Sequence, residues 1–415
     1  MDSLSIVSVF TLKNLLLIVG SFLLSTTNYA QDNSKRSSMP EIRGKVVTKI
    51  SFLNKSGVIV VPVQINDFKI LNLILDTGMS GAVVVLFHKE SIEELKLENG
   101  QIALLGGAGG EKQKQGYLFT DAKVNLADIE MKNQTIVVFD EPRETSDWSW
   151  DGVIGKSLFD KYVTEIDYEN STLTFYEPED FGINSVAPVP INLDHGFPVV
   201  ETEIVIGTDN KNQIKSVVDI GHRSTFLIKQ DSTKNILPPS FTIDAMAGRG
   251  IQGEVLSKIG RISELNIRQF SFKNIPISFL DENENMGVPS SIAEGNIGNL
   301  VLNRFKLVLD YPRKQIFLIP NKNIGEQFEV NMAGLMIEQD NNGVGLVRYV
   351  IKDSPASENG IQKGDKIISL NGKDIREYNS REVYNLFIQE GERIKITVER
   401  NGVKHIMVVK LRKLI

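Results

Sequence analysis

Short apolar or alternating runs, set apart by Gly, Asn and Asp, fill most of the chain: VIVVPVQI (58–65), TIVVFD (135–140), STLTFY (171–176), PVVETEIVI (198–206) and QIFLIP (315–320). Runs of this length, rich in β-branched residues and bounded by turn formers, predict strands. Two of the apolar runs are interrupted by an acid. LNLILDTGMSGAVVV (71–85) and IKSVVDIGHRSTFLI (214–228) each read as strand, Asp-x-Gly, strand. An Asp inside such a run is costly to bury unless it is paired or has a task. A lone Asp-x-Gly is ordinarily a turn.

The two runs belong to a longer repeat. VIGKSLFDKYVTEIDY (153–168) and NIGNLVLNRFKLVLDY (296–311) share Ile-Gly, an aromatic seven residues after the Gly, and a closing Asp-Tyr. Asp76 to Gly155 and Asp219 to Gly298 are both 79 residues; Asp76 to Asp167 and Asp219 to Asp310 are both 91. Three landmarks in one register point to a tandem duplication. It divides the chain into lobe one at 45–180 and lobe two at 188–320, with EPEDFGINSVAPVP (177–190) between them. Each lobe reads as a small closed β unit with one short helix after Ile-Gly.

Between its landmarks each lobe carries a glycine-rich stretch, ALLGGAGGEKQKQGYL (103–118) and AMAGRGIQGEVL (245–256). No Gly-Lys-Ser/Thr follows and no helix starts there, so a phosphate loop is unsupported. Flanked by strand formers, the two predict hairpin tips at equivalent places. A pseudo-twofold axis would bring Asp76 and Asp219 together. Two carboxyls in contact share a proton, so that one activates water while the other donates to a carbonyl. The chain has only four histidines, at 88, 195, 222 and 405, and no His-Glu-x-x-His, Gly-x-Ser-x-Gly or dinucleotide fingerprint, so no metal or cofactor is expected.

Asp76-Thr77-Gly78, the hairpin LLGGAGG and the segment VIGKSLF resemble a lobe of a retropepsin-like aspartic protease. The resemblance covers lobe one well and lobe two less well. It implies two fused β-barrel lobes, as in pepsin-like enzymes, with a cleft between them and no need to dimerise. It also implies catalytic Asp76 and Asp219, supporting residues Thr77, Gly78, Ser80 and Gly221, and flaps with Gly106, Gly107, Gly109, Gly110, Gly248 and Gly250 at their tips. Lobe two departs from the pattern at Ile220, where the family has a hydroxyl that makes cross-lobe hydrogen bonds, and at Arg223, which stands where lobe one has Ser80. An arginine beside the dyad would favour its doubly ionised form. The competing readings are a degenerate cleft that only binds peptide and a pair of structural turn aspartates.

Residues 325–415 leave the repeat. AGLMIEQDNNGVGLVRYVIKDSPASENGIQKGDKIISLNGKDI (333–375) resembles a PDZ domain, followed by a capped amphipathic helix in NSREVYNLFIQ (379–389) and a closing hairpin. Such domains take up an extended peptide by strand addition. The resemblance implies a groove between Leu335-Met336-Ile337 and a helix wall with Val383 and Phe387. The peptide's terminal carboxylate would lie at the backbone of Ala333-Gly334. Ordinary core packing is the competing reading for Met336 and Phe387.

The whole is therefore expected to be mainly β: two retropepsin-like barrel lobes plus an α+β PDZ domain. Its partners would be peptide or protein substrates and C-terminal peptides. With 46 Lys and Arg against 52 Asp and Glu, a net charge of −6 and no basic stripe, a nucleic-acid partner is not expected. The absence of cysteine excludes disulfides, thiol nucleophiles and a lipoprotein-type anchor. LKNLLLIVGSFLL (12–24) followed by STTNYA resembles a secretory signal peptide cleaved after Ala30, leaving a flexible mature N-terminus at 31–44. An uncleaved anchor is the alternative, but Lys13 leaves an apolar stretch too short to span. The mature protein would be periplasmic or secreted, free of the membrane.

Overall fold

In lobe one, eight strands lie in the spatial order Leu53–Lys55, Val58–Ile65, Ile70–Leu75, Gly152–Ile154, Val84–Leu86, Ile129–Phe139, Lys114–Leu126, Gln101–Leu105. Pairing of Gln64 with Asn125 and of Ile65 with Val124 closes the sheet on itself. Lobe two repeats the order that lobe one has from its second strand onward: Val199–Ile206, Asn210–Val218, Gly295–Ile297, Phe226–Lys229, Phe270–Leu280, Gly253–Ile267, Ile243–Gly250. It closes at Glu203–Val205 on Glu264–Asn266. In this computed structural model the described residues are 40–81, 84–110, 113–144, 148–340 and 342–415. The expected signal peptide lies outside them. No described helix is long and apolar enough to cross a membrane.

Period-two burial explains the closure. Along Ile70–Leu75, Leu71, Leu73 and Leu75 are fully buried, and Val61, Val63 and Ile65 meet them from the neighbouring strand. Each fully buried Val, Leu or Ile contributes roughly 1.5–3 kcal/mol. The apolar core continues without a break into lobe two through Val218, Phe226 and Ile228.

A second sheet joins the lobes. Val163–Asp167 of lobe one runs antiparallel to Phe305–Asp310 of lobe two, with Thr164 facing Leu309, Glu165 facing Val308 and Ile166 facing Leu307. Adding the 143-residue spacing of Asp76 and Asp219 to 164, 165 and 166 gives 307, 308 and 309, the same three partners in reverse order. The pairing is its own image under the duplication, which places the pseudo-twofold axis there. The repeated Asp-Tyr landmark ends these strands. Asp167 accepts from the N–H groups of Glu169 and Asn170, and Asp310 caps the turn at Arg313, so both aspartates serve turns. Residues 42–43, within the segment read as flexible, instead pair with Gly182–Ile183.

The C-terminal domain is a five-stranded path, Leu335–Gln339, Gly345–Val350, Lys366–Leu370, Arg393–Arg400, Val403–Lys410, with Lys373–Asp374 beside the third strand. Asn371-Gly372 and Asn401-Gly402 make its tight turns with positive φ at both residues, as that turn type requires. Its helix Ser380–Leu386 opens with a capping box between Asn379 and Glu382. Its seat on the lobes is well tied. Arg304, almost wholly buried in lobe two, donates to the carbonyls of Asn323, Glu326 and Gln327 and lies over the Phe328 ring. Burial pushes the Arg304 guanidinium down to about 10. Arg261 pairs with Glu329 at 2.5 Å.

Candidate functional site

The repeat delivers its two aspartates through the same local construction. The short strand carrying Ile-Gly slips between the two strands that flank each Asp-x-Gly. Asp76 N–H donates to Ile154 O at 2.9 Å, and Asp219 N–H donates to Ile297 O at 3.0 Å. The two loops then meet across the axis. A β-carbon added at Gly78 would lie 2.5 Å from Asp219 Oδ2, and one added at Gly221 would lie 2.5 Å from Asp76 Oδ1. Each carboxyl rests against the glycine of the other lobe, so no larger residue fits either position. Thr77, 2% exposed, fastens the loops: its hydroxyl donates to Val218 O at 2.6 Å and accepts from Ile220 N–H at 3.0 Å. Ile220 is fully buried and has no hydroxyl to return the bonds.

The hydrogen bonds recorded for the two carboxyls differ. Asp76 Oδ1 accepts from Gly78 N–H at 2.6 Å. Asp219 Oδ1 accepts from the N–H groups of Gly221 and His222, at 2.8 and 3.0 Å, and its Oδ2 accepts from Asn296 Nδ2 at 2.7 Å. Donors aimed at a carboxylate favour its ionised form. Burial, then the neighbouring Asp219 charge and a hydrogen bond between the carboxyls, hold Asp76 well above the usual carboxylate range, against the pull of Gly78 N–H. Burial also pushes the His222 imidazole down, and its Nε2 shares a 2.6 Å hydrogen bond with Ser224 Oγ.

Asn296 went unremarked in the sequence. It stands in the Ile-Gly landmark where lobe one has Val153, and that polar-for-apolar change in register was the available signal. Ser80, expected to support the dyad, is instead exposed at the cleft, with its β-carbon facing Gly196. The chain turns outward after Met79, whose side chain packs with Phe87 and Val85.

The glycine-rich hairpins cross over the dyad and bind each other. Gln252 N–H donates to Ala108 O at 2.9 Å and Gly107 N–H to Gln252 Oε1 at 3.2 Å, while Gly109 N–H donates to Asn285 O, in the lobe-two loop after Phe270–Leu280, at 3.0 Å. Gly250 packs on Ala108 and Gly107 on Ile251. Ile251, from the lobe-two hairpin, packs on the lobe-one cluster of Val85, Phe87 and Phe139. Ala108, from the lobe-one hairpin, packs on the lobe-two cluster of Phe197, Leu227 and Val288. Gly106 and Gly248 line the dyad cavity of about 290 Å³, and Gly110 lies at the tip facing Glu284.

Arg223 is turned toward the C-terminal domain, where it pairs with Glu338 at 2.6 Å. Glu338 also accepts from Arg348 Nε at 2.7 Å. Burial works against the Glu338 charge, but the two guanidiniums outweigh it and hold the carboxyl below its ordinary value. Arg223 thus spends its charge on Glu338 and anchors a domain. Met336 and Glu338, on the face of Leu335–Gln339 turned away from its own core, form one wall of the dyad cavity.

Leu335, Met336, Ile337 and Val383 line a second cavity of about 350 Å³, together with Tyr384, which sequence reasoning passed over. Phe387 does not join them. It is fully buried in the core of the C-terminal domain, because the helix ends there and turns its last aromatic inward. Gly334 has φ +78, and a β-carbon there would strike Ser354.

Comparison with known proteins assigns the C-terminal part: residues 323–411 match the family model of the PDZ domain. The serine protease Do-like HtrB of Bacillus subtilis (strain 168) is 26% identical over 151 residues, an alignment spanning 36% of this chain and 31% of that protein. The chain thus matches about a third of the length of that curated relative. Among solved structures, the aspartic proteinase from Irpex lacteus aligns with a TM-score of 0.43 and 15% identity, over 67% of this chain and 98% of that one. The protein is a mainly β chain of two barrel lobes and a C-terminal PDZ domain.

Proposed function

We propose that the protein is an exported, single-chain aspartic endopeptidase whose PDZ domain binds peptide or protein C-termini. One observation carries the reading: the crossed packing of Asp76 and Asp219, each against the other lobe's Asp-x-Gly glycine, beneath two interlocked hairpins. Turn aspartates have no need of such a meeting. Three donors face Asp219, while Asp76, raised by burial and by its neighbour, keeps the shared proton.

In the first half of the reaction, Asp219 takes a proton from water as the water oxygen bonds to the peptide carbon. Asp76 gives its proton to the carbonyl oxygen. In the second half the C–N bond breaks. The leaving nitrogen takes the proton held by Asp219, and Asp76 recovers one from a hydroxyl of the intermediate. Apolar clusters on both sides of the dyad favour substrates with apolar residues flanking the cut.

Hydrolysis of apolar peptides by wild-type protein, Asp76→Asn and Asp219→Asn tests this. Both variants lose activity by about 10²–10⁴-fold, the share general acid–base groups carry. Equal turnover in either variant excludes the dyad. A second reading has its own support in Ile220: a cleft that has lost half of its cross-lobe fastening and binds peptide without cutting it, the PDZ domain carrying the function. That reading expects no turnover by any of the three proteins, with binding of C-terminal peptides retained.

A further inference from the structure

The PDZ groove adjoins the dyad cleft, and the two share lining residues. Its strand Leu335–Gln339 is the edge of its sheet, the free side where an added strand would pair. At the Gln339 end the groove is stopped by lobe one. The tip of the hairpin formed by Leu53–Lys55 and Val58–Ile65 bridges strand and helix there. Ser56 Oγ accepts from Gln339 N–H at 2.7 Å, Gly57 N–H donates to Ser380 Oγ at 3.1 Å, and Ser380 Oγ donates to Asn54 O at 3.0 Å. Asn299 of lobe two holds the same tip through Gly57 O, at 2.7 Å. The last backbone donor of the edge strand is therefore taken, and the straight way out of the groove is barred.

On the other side the groove borders the dyad cavity. Arg223, Met246, Ala247 and Met336 line both the groove cavity and the cavity that holds Asp76 and Asp219. Met246 and Ala247 belong to the lobe-two flap strand Ile243–Gly250. That flap is fastened to the PDZ domain by Glu254, which pairs with Lys363 at 2.5 Å. The Arg223–Glu338 pair and the linker bonds of Arg304 fix the two cavities in register.

We propose that groove and cleft are one substrate channel, and that the substrate is the C-terminal tail of a polypeptide. The inference rests on the protease reading above. The terminal residues pair with the edge strand, carboxylate toward its Leu335 end, since the Ala333 and Gly334 N–H groups already donate to Asn331. The upstream residues, stopped at Ser56, turn between Met246 and Met336 and cross the dyad. The same chain that is captured is then the chain that is cut, at a set distance from its free end. Capture and cleavage act as two linked sites, and the gain disappears when the end cannot be held.

The test uses defined peptides carrying one apolar pair at successive distances from the C-terminus, each made with a free carboxylate and as the carboxamide. Products are identified by mass spectrometry. The channel predicts Asp76-dependent cleavage at one distance from the end. It also predicts a kcat/KM for the free acid about tenfold or more above that of the amide. Val383→Arg, which fills the groove, reduces that ratio toward one. Asp76-dependent cleavage that follows the apolar pair regardless of its distance, at equal rates for acid and amide, overturns the channel alone. Absence of cleavage in every peptide overturns the protease reading and the channel with it.

Discussion

The two lobes share a strand order and a register and differ at the residues that touch the dyad. Lobe one offers Thr77, which bonds both Val218 O and Ile220 N–H. Lobe two offers Ile220 at the matching place and adds Asn296, where lobe one has Val153. A pair of identical carboxyls has no built-in answer to which of them keeps the proton. Here the surroundings supply it: three donors converge on Asp219, while burial and the Asp219 charge raise Asp76. Fusion of the lobes into one chain is what permits such a division, since a symmetric dimer must give both carboxyls the same neighbours.

The comparison breaks most severely at Glu338. Glu338→Gln leaves Arg223 and Arg348 in a buried site without their shared carboxylate. Truncating one partner of such a pair costs about 3–5 kcal/mol, read as a lower denaturation midpoint. The pH dependence follows in sign. The Glu338 carboxyl is held below its ordinary value of 4.5, so its contribution is full above pH 4.5 and fades as pH falls through the lower folded value. Acid unfolding below pH 4.5 is steeper in wild type than in Glu338→Gln.

Thr77→Val removes a hydroxyl that satisfies two buried backbone groups. The expected loss is about 1–3 kcal/mol of stability, measured by urea unfolding, together with a lower kcat. Ile220→Thr sharpens the same contrast from the other side. It restores a hydroxyl to lobe two and raises kcat, whereas an unchanged or lower kcat means that one threonine already holds both loops.

A smaller effect is expected at Asn296. Asn296→Val gives lobe two the residue of lobe one and removes the donor to Asp219 Oδ2. The kcat then falls several-fold, about the worth of one hydrogen bond, with little change in thermal stability. A loss of stability with kcat unchanged reduces Asn296 to packing.

Much of this is legible in the sequence. A duplication that keeps three landmarks in register fixes where two loops meet, because symmetry does the placing; the self-complementary pairing of Thr164–Ile166 with Leu307–Leu309 is the same fact in space. Turn chemistry was equally readable, from Asn371-Gly372 to the box at Asn379 and Glu382. The orientation of single side chains was not. The partner of Arg223 lies 115 residues away in another domain, and no local pattern announces it. Ser80 and Phe387 were placed by analogy of position, while a turn after Met79 and a helix end decided their direction. The crossing of the flaps, each onto the other lobe's apolar cluster, depends on tertiary contact alone.

The most direct test of the dyad is the pH dependence of peptide hydrolysis by the wild-type protein, with Asp76→Asn as control. One shared proton requires a bell-shaped kcat/KM. Activity falls on the acid side as the second carboxyl is protonated, and on the alkaline side as Asp76 loses its proton. Asp76→Asn abolishes the curve. A rate that is insensitive to pH, or a bell that survives in Asp76→Asn, would contradict the assignment of the two aspartates as the catalytic pair.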